Sequence, residues 1–245
     1  MIDKSLVKRR FKKSFTTYDN NAVVQKCTAK ELIKLLPSRE FDYIFETGCA
    51  TGILTKEIKQ NLTFKKFCAN DIVEEAKQYI DLIIPDNTFI FGDIEEIELK
   101  DKYDLIISNA SLQWCNDIKS VIKKLYSSLN DRGILSFSVF SENNLKEIKD
   151  IFNIKNKNYS INDLKDFIAQ YRVEYYNEEE KELYFDTPLD VLKHLKLTGV
   201  NAVEEMKFTK KKLLNFETQY LKKYSKNNKV TLTYNPVNIL ITKSS

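Results

Sequence analysis

The spacing of apolar residues along this chain changes near residue 40. Before that point they recur every three or four positions over residues 4–16 and 21–36, which predicts two helices, the second ended by Pro37. From residue 41 onward, short apolar runs alternate with amphipathic stretches. The runs predict strands at residues 41–45, 64–69, 88–91, 103–108 and 133–140. Strands that alternate with helices predict a parallel sheet with helices on both faces.

The alternation becomes less regular after residue 141. Helical spacing covers 144–152, 161–171, 188–197 and 210–224, and β-rich runs occupy 173–185, 229–234 and 237–242, the first interrupted by a charged turn at 177–181. We interpret the β-rich runs as the antiparallel edge of the main sheet. The pattern therefore predicts an α/β fold, a Rossmann-like seven-stranded mostly parallel sheet with a helical cover.

Composition narrows the class of protein. Among 245 residues, 39 Lys and Arg balance 35 Asp and Glu to a net charge of +4, which is low for a nucleic-acid-binding domain. No apolar run is long enough to span a membrane, and the basic first residues precede no apolar signal region. The four cysteines form no Cys-x-x-Cys pair, and the chain has one histidine. We expect a cytoplasmic protein with reduced thiols and no metal site.

The most informative stretch follows the first predicted strand and precedes a helix. It contains Glu46, Gly48 and Gly52, and glycines there allow a tight turn and close approach to a ligand. Asp71 ends the second predicted strand, where a carboxylate can accept both ribose hydroxyls of a nucleoside. Asp93 and Ile94 follow the third strand and could lie beside an adenine ring. The spacing predicts a nucleotide-type ligand.

Glu46 helps to choose among nucleotides. Its negative charge is unfavourable beside a pyrophosphate but favourable beside an ammonium or sulfonium group. This argues for S-adenosylmethionine rather than a dinucleotide.

The ordered motifs resemble those of class I S-adenosylmethionine-dependent methyltransferases over residues 40–142. The matching segments are residues 46–52, Asp71, Gly92 with Asp93, and residues 103–114. The resemblance implies that the cofactor meets Tyr18, Glu46, Gly48, Gly52, Asp71, Ile72, Asp93, Ile94 and Asn109. Ala50 stands where many members have glycine, and its Cβ implies an ordinary backbone conformation there.

Further segments are similar to the malonyl-acyl-carrier-protein O-methyltransferases of biotin synthesis. They are residues 7–19, 109–114, 135–140 and 192–201. The resemblance implies methylation of the free carboxylate of malonyl-acyl carrier protein, and a carboxylate already ionised near neutral pH needs no general base. Candidates for the acceptor pocket are Tyr18, Gln113, Trp114, Arg172 and Lys196, and we expect His194 to be structural or to lie at the pocket rim.

This interpretation divides a single domain of residues 1–245 into four parts. They are a helical cover (1–38), a cofactor-binding core (39–142), a substrate-side insertion (143–228) and terminal strands (229–245). A basic cluster at residues 8–13 could attract an acidic carrier protein, with residues 210–212 and 222–223 as alternative contributors. Methylation of another small carboxylate or metabolite, and a cofactor-binding protein without turnover, remain open. An RNA substrate is disfavoured because no separate RNA-binding module is evident.

Overall fold

A computed structural model describes residues 2–154, 160–199 and 209–244 of the chain. Its main sheet has seven strands in the order β3-β2-β1-β4-β5-β10-β6, and β10 runs in the opposite direction to the other six. This arrangement confirms the predicted seven-stranded, mostly parallel sheet. The strands are β1 (Glu40–Thr47), β2 (Thr63–Asp71), β3 (Asn87–Phe91), β4 (Tyr103–Asn109), β5 (Leu129–Phe140), β6 (Arg172–Glu178) and β10 (Pro236–Thr242).

Helices cover both faces of this sheet, as the alternating pattern predicted. One apolar core joins the sheet to the first four helices, and a second core joins its other face to α5 and α7. The helices of these two layers are α1 (Lys4–Asn21), α2 (Val23–Leu35), α3 (Ile53–Asn61), α4 (Ala76–Ile83), α5 (Ile118–Ser127) and α7 (Ile161–Ile168).

A second, three-stranded sheet has the order β7-β9-β8 and packs with three helices around a third core. The expectation that the β-rich runs form the edge of the main sheet is confirmed for β6 and β10. It is wrong for residues 181–185 and 229–234, because β7 and β9 join the small sheet. Asn235 alone separates β9 from β10, and its backbone oxygen accepts from the Ser141 backbone nitrogen at 3.0 Å. The elements are α6 (Lys146–Phe152), β7 (Lys181–Phe185), α8 (Pro188–Leu197), α9 (Lys210–Tyr224), β8 (Ser225–Lys226) and β9 (Lys229–Tyr234).

Helix α1 reaches across the carboxyl edge of the main sheet. Its first turn is capped by the Asp3 carboxylate, which accepts from the Leu6 backbone nitrogen at 3.1 Å. Near its end, the Asp19 carboxylate accepts from Thr51 Oγ1 at 2.5 Å and pairs with Lys56 at 2.6 Å, which ties α1 to the start of α3. In the described parts of the chain, no helix combines the length and apolar character needed to cross a bilayer.

Candidate active site

A cleft of about 670 Å³, including its open mouth, lies where the first four strands end and where α1 covers them. Parallel strands bring their following loops to one edge, so residues distant in sequence meet here. The walls are formed by Lys4, Val7, Phe11, Tyr18, Thr47, Gly48, Ala50, Asn70, Asp71, Ile72, Val73, Gly92, Asp93, Ile94, Asn109, Ala110, Ser111, Trp114 and Cys115.

The loop after β1 turns sharply at Gly48, which has a φ of +73°. A Cβ at this position would lie 2.0 Å from Ser111 Oγ, so only glycine allows the loop after β1 to approach the segment after β4 this closely. Ala50 also has a positive φ, of +46°. The expectation that Ala50 has an ordinary backbone conformation is therefore wrong. Its backbone nitrogen donates to Asp71 Oδ2 at 2.8 Å, and this bond holds the turn.

Gly52, the N-cap residue immediately before α3, has a φ of +79° but does not line the cleft. A Cβ there would lie 2.3 Å from Ile83 Cδ1 on α4. Within the structure, Gly52 allows α3 and α4 to pack closely, whereas Gly48 shapes the cleft wall.

The Asp71 carboxylate joins two loops at the cleft. One oxygen accepts from Ala50 and the other from the Val73 backbone nitrogen at 2.7 Å. Burial raises the pKa of Asp71 to about 6, although its backbone hydrogen bonds act in the opposite direction. Each carboxylate oxygen can accept a further hydrogen bond, so Asp71 can still bind hydroxyl groups of a ligand.

Glu46 lies behind the cleft wall. It is buried, it does not line the cleft, and its Oε2 accepts from Thr55 Oγ1 at 2.7 Å. Burial raises the pKa of Glu46 to about 8, opposed by the Thr55 hydrogen bond and reinforced by Asp71. Near neutral pH the side chain is therefore mainly the neutral acid, and it can act on a ligand through the loop rather than by lining the cleft.

Asp93 lies at the far side of the cleft, where β3 ends. Its carboxylate pairs with Lys4 of α1 at 3.0 Å, and Lys4 also pairs with Glu95 at 2.6 Å. Ile72 and Ile94 contribute apolar surface to the same cleft. Carboxylates alternate with aliphatic side chains here, an arrangement that can bind a flat ring and its polar edge.

Asn109 ends β4 and anchors α2 to the cleft. Its Oδ1 accepts from Thr28 Oγ1 and Ser138 Oγ, both at 2.7 Å, and its Nδ2 donates to the Gln25 backbone oxygen at 2.8 Å. Ser138 Oγ in turn accepts from the Ala110 backbone nitrogen at 2.9 Å. These bonds fix the turn after β4, so Asn109 both lines the cleft and holds its wall.

Tyr18 and Trp114, two aromatic candidates for the pocket that binds the methyl acceptor, line the cleft. The Phe11 ring lies between them, with ring centroids 6.3 Å from Tyr18 and 5.7 Å from Trp114. Burial raises the pKa of Tyr18 well above its usual value, so the phenol keeps its proton. The structure thus brings residues of α1 onto the segment that follows β4.

The other three acceptor candidates lie outside the cleft. Gln113 Nε2 donates to the Ala110 backbone oxygen at 2.7 Å, which turns its side chain back onto the chain. Arg172 begins the edge strand β6 and pairs with Glu174 at 2.6 Å. Lys196 lies in the last turn of α8. The first strands and α1 form the cleft, and neither of these cations reaches it in this structure.

His194 lies in α8, away from the cleft walls. Its Nε2 is 2.9 Å from the hydroxyl of Tyr234, and burial lowers the pKa of His194 to about 4. The ring is therefore neutral near pH 7, and it connects α8 to β9 within the third core.

Sequence reasoning did not select several cleft residues. Lys4, Val7 and Phe11 project from one side of α1, and their spacing of three and four residues was the available signal. Ser111 also lines the cleft, and its position depends on the close approach of Gly48, which only the folded structure reveals.

Comparison with known proteins agrees with this fold and cleft. A family model described as a methyltransferase domain matches residues 22–178. The malonyl-[acyl-carrier protein] O-methyltransferase of Calditerrivibrio nitroreducens is 39% identical, and the alignment covers 97% of this chain and 96% of the relative. The protein of the same name from Porphyromonas gingivalis is 34% identical, over 98% of this chain and 96% of its own.

A solved structure supports the fold independently. The N-methyltransferase NodS from Bradyrhizobium japonicum, in complex with S-adenosyl-L-homocysteine, superposes with a TM-score of 0.53 at 12% identity. The match covers 89% of this chain and 86% of NodS. The family model and the full-length relatives, rather than this superposition, show that the chain belongs to the methyltransferase domain family, among the malonyl-[acyl-carrier protein] O-methyltransferases.

Proposed function

We propose that this protein transfers a methyl group from S-adenosylmethionine to the free carboxylate of malonyl-acyl carrier protein, giving the methyl ester used in biotin synthesis. The observation that carries the proposal is the match to malonyl-[acyl-carrier protein] O-methyltransferases over nearly the whole chain. A cleft at the expected edge of the sheet supports it. The acidic carrier protein is part of the same proposal.

The residues of the cleft fit the cofactor. Asp71 retains acceptor capacity for ribose hydroxyls, and Asp93 can accept from an adenine amino group beside Ile72 and Ile94. Gly48 allows the loop after β1 to approach Ser111 closely, which shapes the wall of the cleft at this point. When bound, the cofactor supplies an electrophilic methyl group on a positively charged sulfur.

Methylation of a carboxylate requires no proton transfer by the protein. A carboxylate acceptor has a usual pKa near ~4 and is ionised at neutral pH, so no base is required to activate it. The protein's own contribution is to align the acceptor and to exclude water from the reacting atoms. Phe11, Tyr18 and Trp114 provide aromatic surface for that purpose.

We assign docking of the carrier protein to α1. Arg9, Lys12 and Lys13 are exposed on this helix, which also covers the cleft. A basic surface beside the cleft would draw in an acidic carrier and direct its acyl group toward the site. In this proposal residues 1–38 cover the cofactor and residues 143–228 form a substrate-side insertion, of which residues 155–159 and 200–208 lie outside the described part of the chain.

Methyl transfer from radiolabelled S-adenosylmethionine tests the proposal. Purified protein is incubated with malonyl-acyl carrier protein, with acetyl-acyl carrier protein and with free malonate. Base-labile label on the malonyl carrier alone is the expected result. Label on free acids alone would indicate another carboxylate methyltransferase, and cofactor binding without any transfer would indicate a non-catalytic protein.

A further inference from the structure

The indole N–H of Trp114 is buried and has no hydrogen-bond acceptor, although Trp114 lines the cleft. The residue ends the 3-10 turn Leu112–Trp114, and its backbone nitrogen donates to the Ser111 oxygen at 3.0 Å. The backbone is therefore held while the side-chain donor is left unpaired. A buried donor without an acceptor is unfavourable, so an acceptor that arrives with a ligand would remove this cost.

Phe11 of α1 packs against the Trp114 ring. The two ring centroids are 5.7 Å apart and the planes are inclined at 82°. An aromatic ring offers at most a weak acceptor for an N–H group. The contact with Phe11 therefore does not satisfy the indole donor, and a ligand oxygen that reaches Trp114 would supply the acceptor that it lacks.

The side-chain nitrogens of Asn109, Asn70 and Lys4, which also line the cleft, already have protein partners. Asn109 donates to Gln25, and Asn70 Nδ2 donates to the backbone oxygens of Ile90 at 2.8 Å and Gly92 at 2.9 Å. Lys4, the cation among the described lining residues, is held by two carboxylates. A carboxylate that enters this cleft can therefore accept a hydrogen bond from the indole N–H of Trp114, which has no protein acceptor.

We propose that Trp114 Nε1–H donates a hydrogen bond to the carboxylate of the acyl acceptor and so selects acyl groups that carry a carboxylate. This inference rests on the proposed function. A neutral donor suits the task, because it orients one carboxylate oxygen and leaves the other free to attack. A buried lysine or arginine in the same place would stabilise the anion more strongly and make it a poorer nucleophile.

The single tryptophan of the chain gives a direct readout. Protein labelled with ¹⁵N-tryptophan shows one indole signal in a proton–nitrogen correlation spectrum. With S-adenosylhomocysteine present to prevent turnover, malonyl-acyl carrier protein should move the indole proton downfield, and acetyl-acyl carrier protein should move it much less. Equal movement by both carriers, or movement caused by the cofactor product alone, would overturn the inference.

A second measurement removes the donor. Replacing the tryptophan biosynthetically with benzothienylalanine keeps the ring shape but lacks the N–H, and Trp114→Phe serves as a genetic counterpart. We expect KM for malonyl-acyl carrier protein to rise about tenfold, the scale of a lost hydrogen bond to a charged group, with the Kd for S-adenosylmethionine within about twofold of wild type. An unchanged KM, or a change only in the cofactor Kd, would contradict the role of Trp114.

Activity of the wild-type protein distinguishes failure of the proposed function from failure of the proposed role of Trp114. If it forms no ester on malonyl-acyl carrier protein, the proposed function fails and the role of Trp114 fails with it. If it forms the ester and the variant without the N–H has an unchanged KM, only the role of Trp114 fails.

Discussion

Lys4 Nζ in the first turn of α1 lies 3.0 Å from Asp93 Oδ2 at the end of β3. The same ammonium group lies 2.6 Å from Glu95 Oε2. Burial lowers the pKa of Lys4, but hydrogen bonds to Glu95 and Asp93 outweigh this and raise it. The pair is partly buried, with 23% of the lysine side chain and 11% of the Asp93 side chain exposed, so solvent screens it less than a surface pair. The pair attaches α1 to the side of the cleft that follows β3.

Replacing Lys4 with methionine should loosen α1 over the cleft. Because one side of the attachment is lost, we expect S-adenosylmethionine to dissociate roughly 3–10 times faster, which corresponds to a contribution of about 1 kcal/mol from a partly exposed ion pair. Stopped-flow fluorescence of the single tryptophan measures the rate. Lys34→Met is the matched control, since Lys34 pairs with Glu31 on the exposed surface of α2. Equal dissociation rates in wild type and Lys4→Met would contradict the attachment.

Asp71 should be necessary for cofactor affinity. Asp71→Ala is expected to weaken S-adenosylmethionine binding by roughly 1–3 kcal/mol, because charge-assisted hydrogen bonds to ribose are lost. Isothermal calorimetry measures the change directly. An unchanged Kd would contradict the ribose assignment.

The carboxylate also holds the Ala50 and Val73 nitrogens, so the loop itself could shift in the alanine variant. Asp71→Asn retains one acceptor oxygen and should lose less affinity than Asp71→Ala. Asp81→Asn is the control for a carboxylate distant from the cleft walls, which pairs with Lys77 on the surface of α4. Its cofactor Kd should equal that of wild type.

The part of the cleft that is formed by residues at strand ends can be predicted from the sequence. The end of each apolar run predicts where a strand ends, which gives the positions of Asp71, Asp93 and Asn109. Because parallel strands end at one edge of the sheet, these residues are expected to lie near each other. The positive φ of Ala50 could not be anticipated, because it depends on a hydrogen bond to Asp71, 21 positions along the chain. Local preference is overruled there by a long-range contact.

The same distinction applies to the less regular part of the chain. The sequence predicts strands in the β-rich runs, but its periodicity does not show which strands pair with each other. Asn235 is the residue between β9 and β10, which belong to different sheets. Its backbone nitrogen donates to Asn144 Oδ1 at 3.1 Å. Arg172 and Lys196 are candidates because of their charge alone, and charge does not indicate how far a residue lies from a cleft that other elements build.

Glu46 should make the protein less stable as pH rises. Its pKa is raised from a usual 4.5 to about 8, so the folded state binds this proton more tightly than the unfolded state. The associated stability is complete below about pH 4.5 and is lost as pH rises through 8. Glu46→Gln cannot ionise, and at pH 8 it should be more stable than wild type by on the order of 3 kcal/mol.

Urea unfolding at pH 5 and pH 8 tests the sign. The Glu46→Gln variant should differ little from wild type at pH 5 and exceed it at pH 8. Glu31→Gln is the surface control, since Glu31 lies on the exposed side of α2 and pairs with Lys34. A stability difference that is the same at both pH values would show that Glu46 is not the proton-binding group.

Charge reversal on α1 should weaken encounter with the carrier protein. In the double variant Arg9→Glu and Arg10→Glu, we expect kcat/KM for malonyl-acyl carrier protein to fall about tenfold at low ionic strength, because steering of an acidic partner is lost. The loss should shrink at 0.5 M salt, where the screening length is only a few ångströms. At saturating carrier, kcat should be close to that of wild type.

Two comparisons isolate the docking role of α1. Malonyl-pantetheine has no carrier protein, so the double variant should use it as well as wild type does. Lys210→Glu with Lys211→Glu places the same charge change on α9, whose first turn is exposed and contributes no residue to the cleft wall. If the α9 variant loses more kcat/KM than the α1 variant, the carrier docks on α9. If the α1 variant loses kcat alone, at every salt concentration, then Arg9 and Arg10 support the fold of the cover rather than the encounter.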